Sequence, residues 1–491
     1  MIFRKTIASL FQIQPGEGLP VALMAFHSFF MGISLVFIGS CASAMFLAEF
    51  DANVLPYVYI FIAFFISITG LFYTKLEQWL SFRTLLLVNL VFNVLLLFLF
   101  RFFLSISLPI GALLYFWWYA MDILLNLEFW SLAGRLFNIR QGKRFFGFLG
   151  SPELLATTIG GLSIPWLIPL LGTANLLLIS AFANLGSFLL LCYIIKRFPE
   201  KLSQEAKSST EKKAKPIKDL IQNPYTRWIF AFSSLCWLVY YFVDNLFYER
   251  AGTQFKSQED LASFFGNFFA IMGTVAFLIR FFLADRLISR FGLSFALLTT
   301  PILVLYGAIA IVISGSILGN VPIIFWLTTG TRLLEASTRR SLHRSARGIM
   351  YQAIPSDSRL KAQAITESVV DQIAAALAGI MLLALTTFFN FPLLPIAYSL
   401  IILCLAWIIV SVLLHKEYKN FLAKEFLKRN IKEFFLSCHD KCSIALLQNS
   451  LKSNHPGEVI YALNMLEESS PESLEKHILP LLHHPESQVR G

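Results

Sequence analysis

The stretch KRFPEKLSQEAKSSTEKKAKPIKDLIQNPY, Lys196–Tyr225, is a polar gap in an otherwise apolar chain. Its Lys- and Ser-rich composition has too little apolar surface to fold by burial, so it reads as a flexible linker. Working outward from it, apolar runs recur on both sides: 19–44, 54–74, 84–103, 106–130, 145–170 and 173–195 before it, and 228–248, 264–284, 293–315, 319–338, 362–388 and 392–414 after it. A hydrocarbon core roughly 30 Å thick asks a helix for about 20 such residues. The pattern predicts an all-α polytopic membrane protein with six spans, a linker and six more. Composition agrees: 491 residues, 56% hydrophobic, 15% aromatic, only 14% charged and a mean hydropathy of +0.66 exclude an ordinary soluble domain.

Basic residues orient these spans, because short cytoplasmic loops are enriched in Lys and Arg. With the N-terminus inside, 27 of the 40 cations fall in inner segments, three (Arg101, Arg250 and Lys256) in outer loops, and ten after residue 415. This asymmetry predicts a multi-pass protein of a bacterial inner membrane with both termini cytoplasmic. The net charge of +10 is then a signature of topology and of contact with the lipid bilayer, and no nucleic-acid partner is expected. The start, MIFRKTIASLFQIQPGEG, lacks the apolar core and cleavage site of a signal peptide, so its removal is not expected.

The division into domains follows: 1–195 a first six-helix half, 196–227 a cytoplasmic linker, 228–415 a second six-helix half, and 416–491 a cytoplasmic tail. The approach to the first span, TIASLFQIQPGEGLPVALMAFHSFF, resembles the approach to the seventh, PIKDLIQNPYTRWIFAFSSLCW, in having an amphipathic turn, a Pro and then a span. Six-plus-six pseudo-repeats indicate the major facilitator architecture, whose substrate cavity lies between the halves. ADRLISRFG at 284–292 resembles a degenerate form of that superfamily's cytoplasmic loop motif.

In the tail, KEYKNFLAKEFLKRNIKEFF reads as a basic amphipathic helix with Phe421, Leu422, Phe426, Leu427, Ile431 and Phe434 apolar, suited to anionic lipid. Beyond it, short helical patterns broken at His455-Pro456 and Ser470-Pro471 resemble HEAT repeats, which would offer a surface to a cytoplasmic protein partner.

No nucleophile stands beside a base, no Gly-rich loop is placed to cradle phosphate, and no paired acids face a soluble cleft, so no enzyme activity and no cofactor are expected. The six cysteines are scattered, and CHDKC at 438–442 has no second ligand pair at zinc spacing, so no metal is expected either. The informative residues are charges inside spans, which cost about 2.5–3.5 kcal/mol each on the insertion scale unless they face a cavity or a partner. Asp122 lies in span 4, Asp244 in span 7, Arg332 and Glu335 in span 10, and Asp371 in span 11. At 1.5 Å per residue, Asp371 is about 14 Å from the inner end of its helix and Asp244 about 24 Å from Trp228. Arg332 with Glu335, and Glu335 with Arg339, are spaced to pair along one helix face. Two uses stay open for them: charges locking spans 4, 10 and 11 together, or contacts to substrate.

FWSLAGRLFNIRQGKRFFGFLGSPELLATTIGGL (Phe129–Leu162), ARGIMYQAIPSDSRLKAQAITESVVDQIAAALAGI (Ala346–Ile380), YYFVDNLFYERA (Tyr240–Ala251) and LAEFDANVLPYVYI (Leu47–Ile60) together resemble the plastid- and parasite-type ATP/ADP translocases, over roughly residues 1–415. The resemblance implies exchange or import of a nucleotide or related anionic metabolite without hydrolysis, using cations for the phosphates and acids to balance them. It matches the family's acid of span 7 to Asp244 and the basic residue before span 11 to Lys361. The span 4 acid falls near Trp118, one turn from Asp122. Neighbouring family cations appear here as Gln363 and Gln372, and the span 1 cation has no counterpart in SLVFIGSCASAMFLAEF. These features leave two readings: a secondary transporter working by alternating access, or a transport-inactive, carrier-like scaffold presenting the tail. Arg140, Lys143 and Arg144 precede span 5 in an inner loop, where they read as an anchor and inner-gate element, with Gly147, Gly150 and Gly160 permitting close helix approach.

Overall fold

The computed structural model describes residues 17–106, 110–137, 149–203, 223–318, 321–388 and 393–427, with isolated positions at 141, 145 and between 448 and 481. Twelve long helices are found among the described residues: α1 (Gly18–Glu49), α2 (Leu55–Trp79), α3 (Phe82–Ser105), α4 (Gly111–Leu136), α5 (Ser151–Leu171), α6 (Leu176–Arg197), α7 (Pro224–Gln254), α8 (Gln258–Leu278), α9 (Leu293–Ile313), α10 (Val321–Thr338), α11 (Asp371–Phe388) and α12 (Leu393–Leu427). Ten helices among the described residues are long and apolar enough to cross a membrane; α4 and α10 are not among them. The reason is in their sequences: α4 carries Asp122 and Glu128, and α10 carries Arg332 and Glu335. A charged helix is tolerated in a bundle when neighbours enclose it.

Local chemistry sets the helix ends. Ser81, Asn223 and Ser257 accept a backbone N–H at the start of α3, α7 and α8, and Pro224 occupies the first turn of α7, where no donor is lost. Gly172 and Gly292 adopt φ of 78° and 81°, a left-handed region that favours glycine, and turn the chain into α6 and α9.

In the first half, α1 packs on α4, α5 and α6, and α3 covers α6; in the second, α7 packs on α10, α11 and α12, and α9 lies against α10 and α12. The halves meet chiefly along α5–α8 and α2–α11, with α1 also touching α8. Lipid gives helices no hydrophobic incentive to associate, so close backbone approach must supply the attraction. A Cβ on Gly161 would come within 2.5 Å of the Gly266 carbonyl oxygen, and one on Gly379 within 2.6 Å of the Pro56 carbonyl oxygen. Gly160 faces α1, where an added Cβ would meet Val36.

The basic stretch after α10, expected as a loop, is mostly helical. The chain continues from α10 through a π turn (Arg339–His343) into the helix Arg344–Gln352, then through Ser356–Ile365 and a second π turn (Thr366–Val370) into α11. Likewise α12 runs on to Leu427, and Phe421 stacks on Tyr225 at 4.8 Å with Leu422 buried, so the first turns of the expected lipid-binding helix pack on protein. Most of the linker, the cations Arg140, Lys143 and Arg144, and the HEAT-like pattern of the tail lie outside the described residues.

Candidate substrate site

Three of the charges singled out from sequence meet at the junction of the halves. Arg332 of α10 donates to Asp244 Oδ1 of α7 and, through Nη1, to Glu335 Oε2 at 2.6 Å. Arg339, on the π turn that continues α10, donates from Nε to Glu335 Oε1, also at 2.6 Å. Two cations therefore face two carboxylates with each carboxylate engaged, and Asp244 and Glu335 are buried. Removing one member of such a set would leave a charge out of water without its counter-charge.

The first half reaches this network through tyrosines. Tyr59 of α2 donates to Asp244 Oδ2 at 2.9 Å, while its ring lies 4.7 Å from that of Tyr241. Tyr119 of α4 and Tyr240 of α7 bring their hydroxyls within 3.3 Å. The guanidinium groups of Arg332 and Arg339 sit 4.3 and 4.4 Å from the centre of the Tyr240 ring, and Arg339 is 5.5 Å from that of Trp237. Cations held on aromatic faces give a surface that suits both an anionic group and a flat ring. Further along α7, away from its Pro224 end, Ser43 of α1 and the Tyr248 hydroxyl are 2.9 Å apart, joining the halves again.

A second layer lies toward the end of the bundle where α7 begins. Asp371 accepts from Ser233 Oγ through Oδ1 and pairs with Arg347 at 3.5 Å through Oδ2; Arg347 also lies 3.8 Å from Glu367. Here the halves touch through looser pairs. Arg340 is 3.9 Å from Glu153, Arg344 donates to Asn126 Oδ1 at 3.5 Å and lies over Trp130, and Arg280 donates to the Gly150 carbonyl at 3.3 Å. A Cβ on Gly150 would collide with that guanidinium, which is how the glycine permits the contact.

The remaining expected residues are separate. Asp122 accepts from Asn126 Nδ2 through Oδ1 at 3.2 Å and is not bonded to the Asp244 network. Lys361 is exposed on the helix Ser356–Ile365. Asp371 belongs to the second layer. Tyr59, Tyr119, Tyr240, Trp237 and Arg347 escaped the reading of the sequence because aromatics are abundant throughout the chain and Arg347 resembled a loop cation. Also overlooked was a buried pair in the first half, His27 with Glu128. A histidine in the first apolar run and an acid in the fourth were the signal available.

Comparison with known proteins adds the family and the fold. The family described as TLC ATP/ADP transporter matches residues 116–418. The ADP,ATP carrier protein 1 of Chlamydia trachomatis is 26% identical over 50% of this chain and 53% of its own length, and its counterpart in Chlamydia pneumoniae is 23% identical over 50% and 55%. The chain thus spans about half the length of the curated relatives it matches. Among solved structures, the nucleoside transporter NupG superposes with a TM-score of 0.52 at 15% identity over 82% of this chain and 98% of that one. A bacterial homologue of the iron transporter ferroportin, in an inward-facing state, gives 0.55 at 14% over 79% and 98%. A POT family transporter gives 0.56 at 13% over 83% and 97%. At these identities the superpositions speak for the fold alone; the family match covers well over half the chain, and this multi-pass membrane protein belongs to the TLC ATP/ADP transporter family.

Proposed function

We propose that the chain is a secondary carrier of a nucleotide or a related anionic metabolite, working by alternating access in a bacterial inner membrane with both termini in the cytoplasm. The observation that carries this reading is the buried set Asp244–Arg332–Glu335–Arg339 at the junction of the halves, with Tyr240 beneath both guanidinium groups. An incoming phosphate competes with the carboxylates for the same planar N–H forks, and Trp237, Tyr240 and Tyr119 offer faces to a base. Exchange of partners at Arg332 releases Asp244, and with it the hydrogen bond that binds α7 to Tyr59 of α2. Substrate arrival is thereby linked to loosening of the contact between halves. The two cations are already balanced by two acids, so counter-exchange of one anion for another is the mode that leaves the site's charge unchanged.

The test is uptake of labelled ATP, ADP, NAD and nucleoside monophosphates into proteoliposomes, with and without counter-substrate inside. Accumulation of at least one nucleotide, lost in Asp244→Asn and Arg332→Gln proteins that still insert, is the expected outcome. Failure of every nucleotide with a demonstrably folded protein would reject the reading.

A further inference from the structure

We propose that the buried pair His27–Glu128 is a proton-binding site that couples proton entry to substrate movement, an inference resting on the carrier reading above. His27 Nε2 of α1 lies 3.4 Å from Glu128 Oε1 of α4, with side chains 2% and 0% exposed. From α3, Asn89 Nδ2 donates to Glu128 Oε2 at 3.2 Å, and Asn93 Nδ2 donates to Asn89 Oδ1 at 3.3 Å. The imidazole lies parallel to the Phe129 ring, 6.1 Å between centres.

The surroundings are richer in polar groups than these bonds require. His27 Nδ1, Ser28 Oγ, Asn93 Oδ1, both amide atoms of Asn184 and Ser187 Oγ are buried without a hydrogen-bond partner among the described residues. Helix geometry relates them. Ser34 Oγ of α1 meets Ser180 Oγ of α6 at 2.7 Å. Asn184 and Ser187 follow Ser180 by four and seven residues, on the same face of α6, and His27 precedes Ser34 by seven, on the same face of α1. A buried polar group left unpaired gives up its bonds to water with nothing in return. A seam with this many is built for a polar guest, such as the water that delivers a proton.

Charge explains why one proton stays. The other charged residues of the helices around the seam lie at their ends or turn elsewhere: Glu17 and Glu49 at the two ends of α1, Arg83 and Arg101 on α3, Asp122 with Asn126 and Arg135 on α4, Glu153 on α5, and Lys196 and Arg197 on α6. With one proton between them, on Glu128 or on His27, the two groups have no net charge. Losing that proton leaves a lone carboxylate, and gaining a second leaves a lone imidazolium, each unfavourable while the seam is closed to water. Exchange with the bulk is therefore confined to conformations that wet the α1–α4 seam. A proton taken from water on one side is returned to water on the other, and no other bond changes.

The experiment uses the full chain in proteoliposomes with a trapped pH-sensitive dye, offered ATP, ADP or AMP with and without an inwardly directed proton gradient. Wild-type uptake should rise with the gradient and acidify the lumen, and in Glu128→Gln and His27→Gln the ratio of uptake with and without the gradient should fall to unity. Equal stimulation in the variants, or an exchange indifferent to the gradient in wild type, overturns the proposal while leaving nucleotide transport intact. If no nucleotide enters, the carrier reading falls, and infrared spectroscopy of the purified protein decides the site alone. A protonated-carboxyl band lost in Glu128→Gln, or an imidazolium band lost in His27→Gln, at neutral pH supports it; absence of both overturns it.

Discussion

The two halves each contribute six long helices but dispose of their buried charge in opposite ways. In the second half, Asp244, Arg332, Glu335 and Arg339 stand where the partner half can reach them, and Tyr59 does reach Asp244. In the first half, the pair His27–Glu128 is turned toward α3, away from the junction, and its neighbours are amides and hydroxyls. Backbone follows the same division. Among the described residues all four π turns, Ile279–Leu283, Ser314–Leu318, Arg339–His343 and Thr366–Val370, belong to the second half. A π turn interrupts the i to i+4 bond ladder and gives a helix a place to shear. The half that holds the ion network at the junction is also the half whose helices can adjust around it, which suits the proposed opening of its ion pairs for substrate.

The most severe way to break this arrangement is Arg332→Met. It strands the buried Asp244 carboxylate and leaves Glu335 with Arg339 alone, so stability should fall by about 3–5 kcal/mol, read as a lowered unfolding temperature in detergent, and uptake should cease. Adding Asp244→Asn, which leaves Glu335 and Arg339 as a balanced pair, should recover much of the stability and none of the uptake. A fully recovered carrier would show that the network only holds helices together. Tyr59→Phe comes next: it removes a hydrogen bond to a charged group and should cost about 1.5–3 kcal/mol. Because Tyr59 links the halves, uptake should fall as well, though less than in Arg332→Met.

The seam between halves offers a comparison of its own. Gly161→Val forces a side chain onto the Gly266 carbonyl and should cost about 1–3 kcal/mol, with uptake slowed because α5 and α8 no longer approach. Gly134→Ala is the control, since nothing lies within 4 Å of its added Cβ. Its stability should stay within about 0.5 kcal/mol of wild type.

Much of this was legible in the sequence because the bilayer imposes simple rules. Apolar run length located twelve helices, and the i, i+3 and i, i+4 spacings of Arg332, Glu335 and Arg339 anticipated their pairing. What escaped depended on contacts between helices distant in sequence. Nothing in LPYVYI marks Tyr59 as the donor to Asp244, and nothing in an apolar run marks His27 as the neighbour of Glu128. The stretch after α10 misled for another reason. Its Arg and Ser residues read as a loop, yet they are acceptable helix formers, and the ion pairs of Arg339 and Arg347 hold them in helical extensions of α10 and α11.

The mildest expected effect tests whether the outer layer acts on substrate or on the fold. The Arg340 side chain is 32% exposed and 3.9 Å from Glu153. An ion pair this exposed contributes about 0–1 kcal/mol, so Arg340→Gln should barely move the unfolding temperature. Its charge at the mouth of the bundle acts over a Debye length of about 8 Å at physiological salt, long enough to draw in an anion before contact. Arg340→Gln should therefore slow uptake at low substrate concentration and flatten its dependence on ionic strength, with little change at saturation. Lys361→Gln, at an exposed position, should show the same pattern more weakly. Loss of stability without a change in salt dependence would place Arg340 among the links between halves, beside Arg280, and leave attraction of the substrate to the buried guanidinium groups.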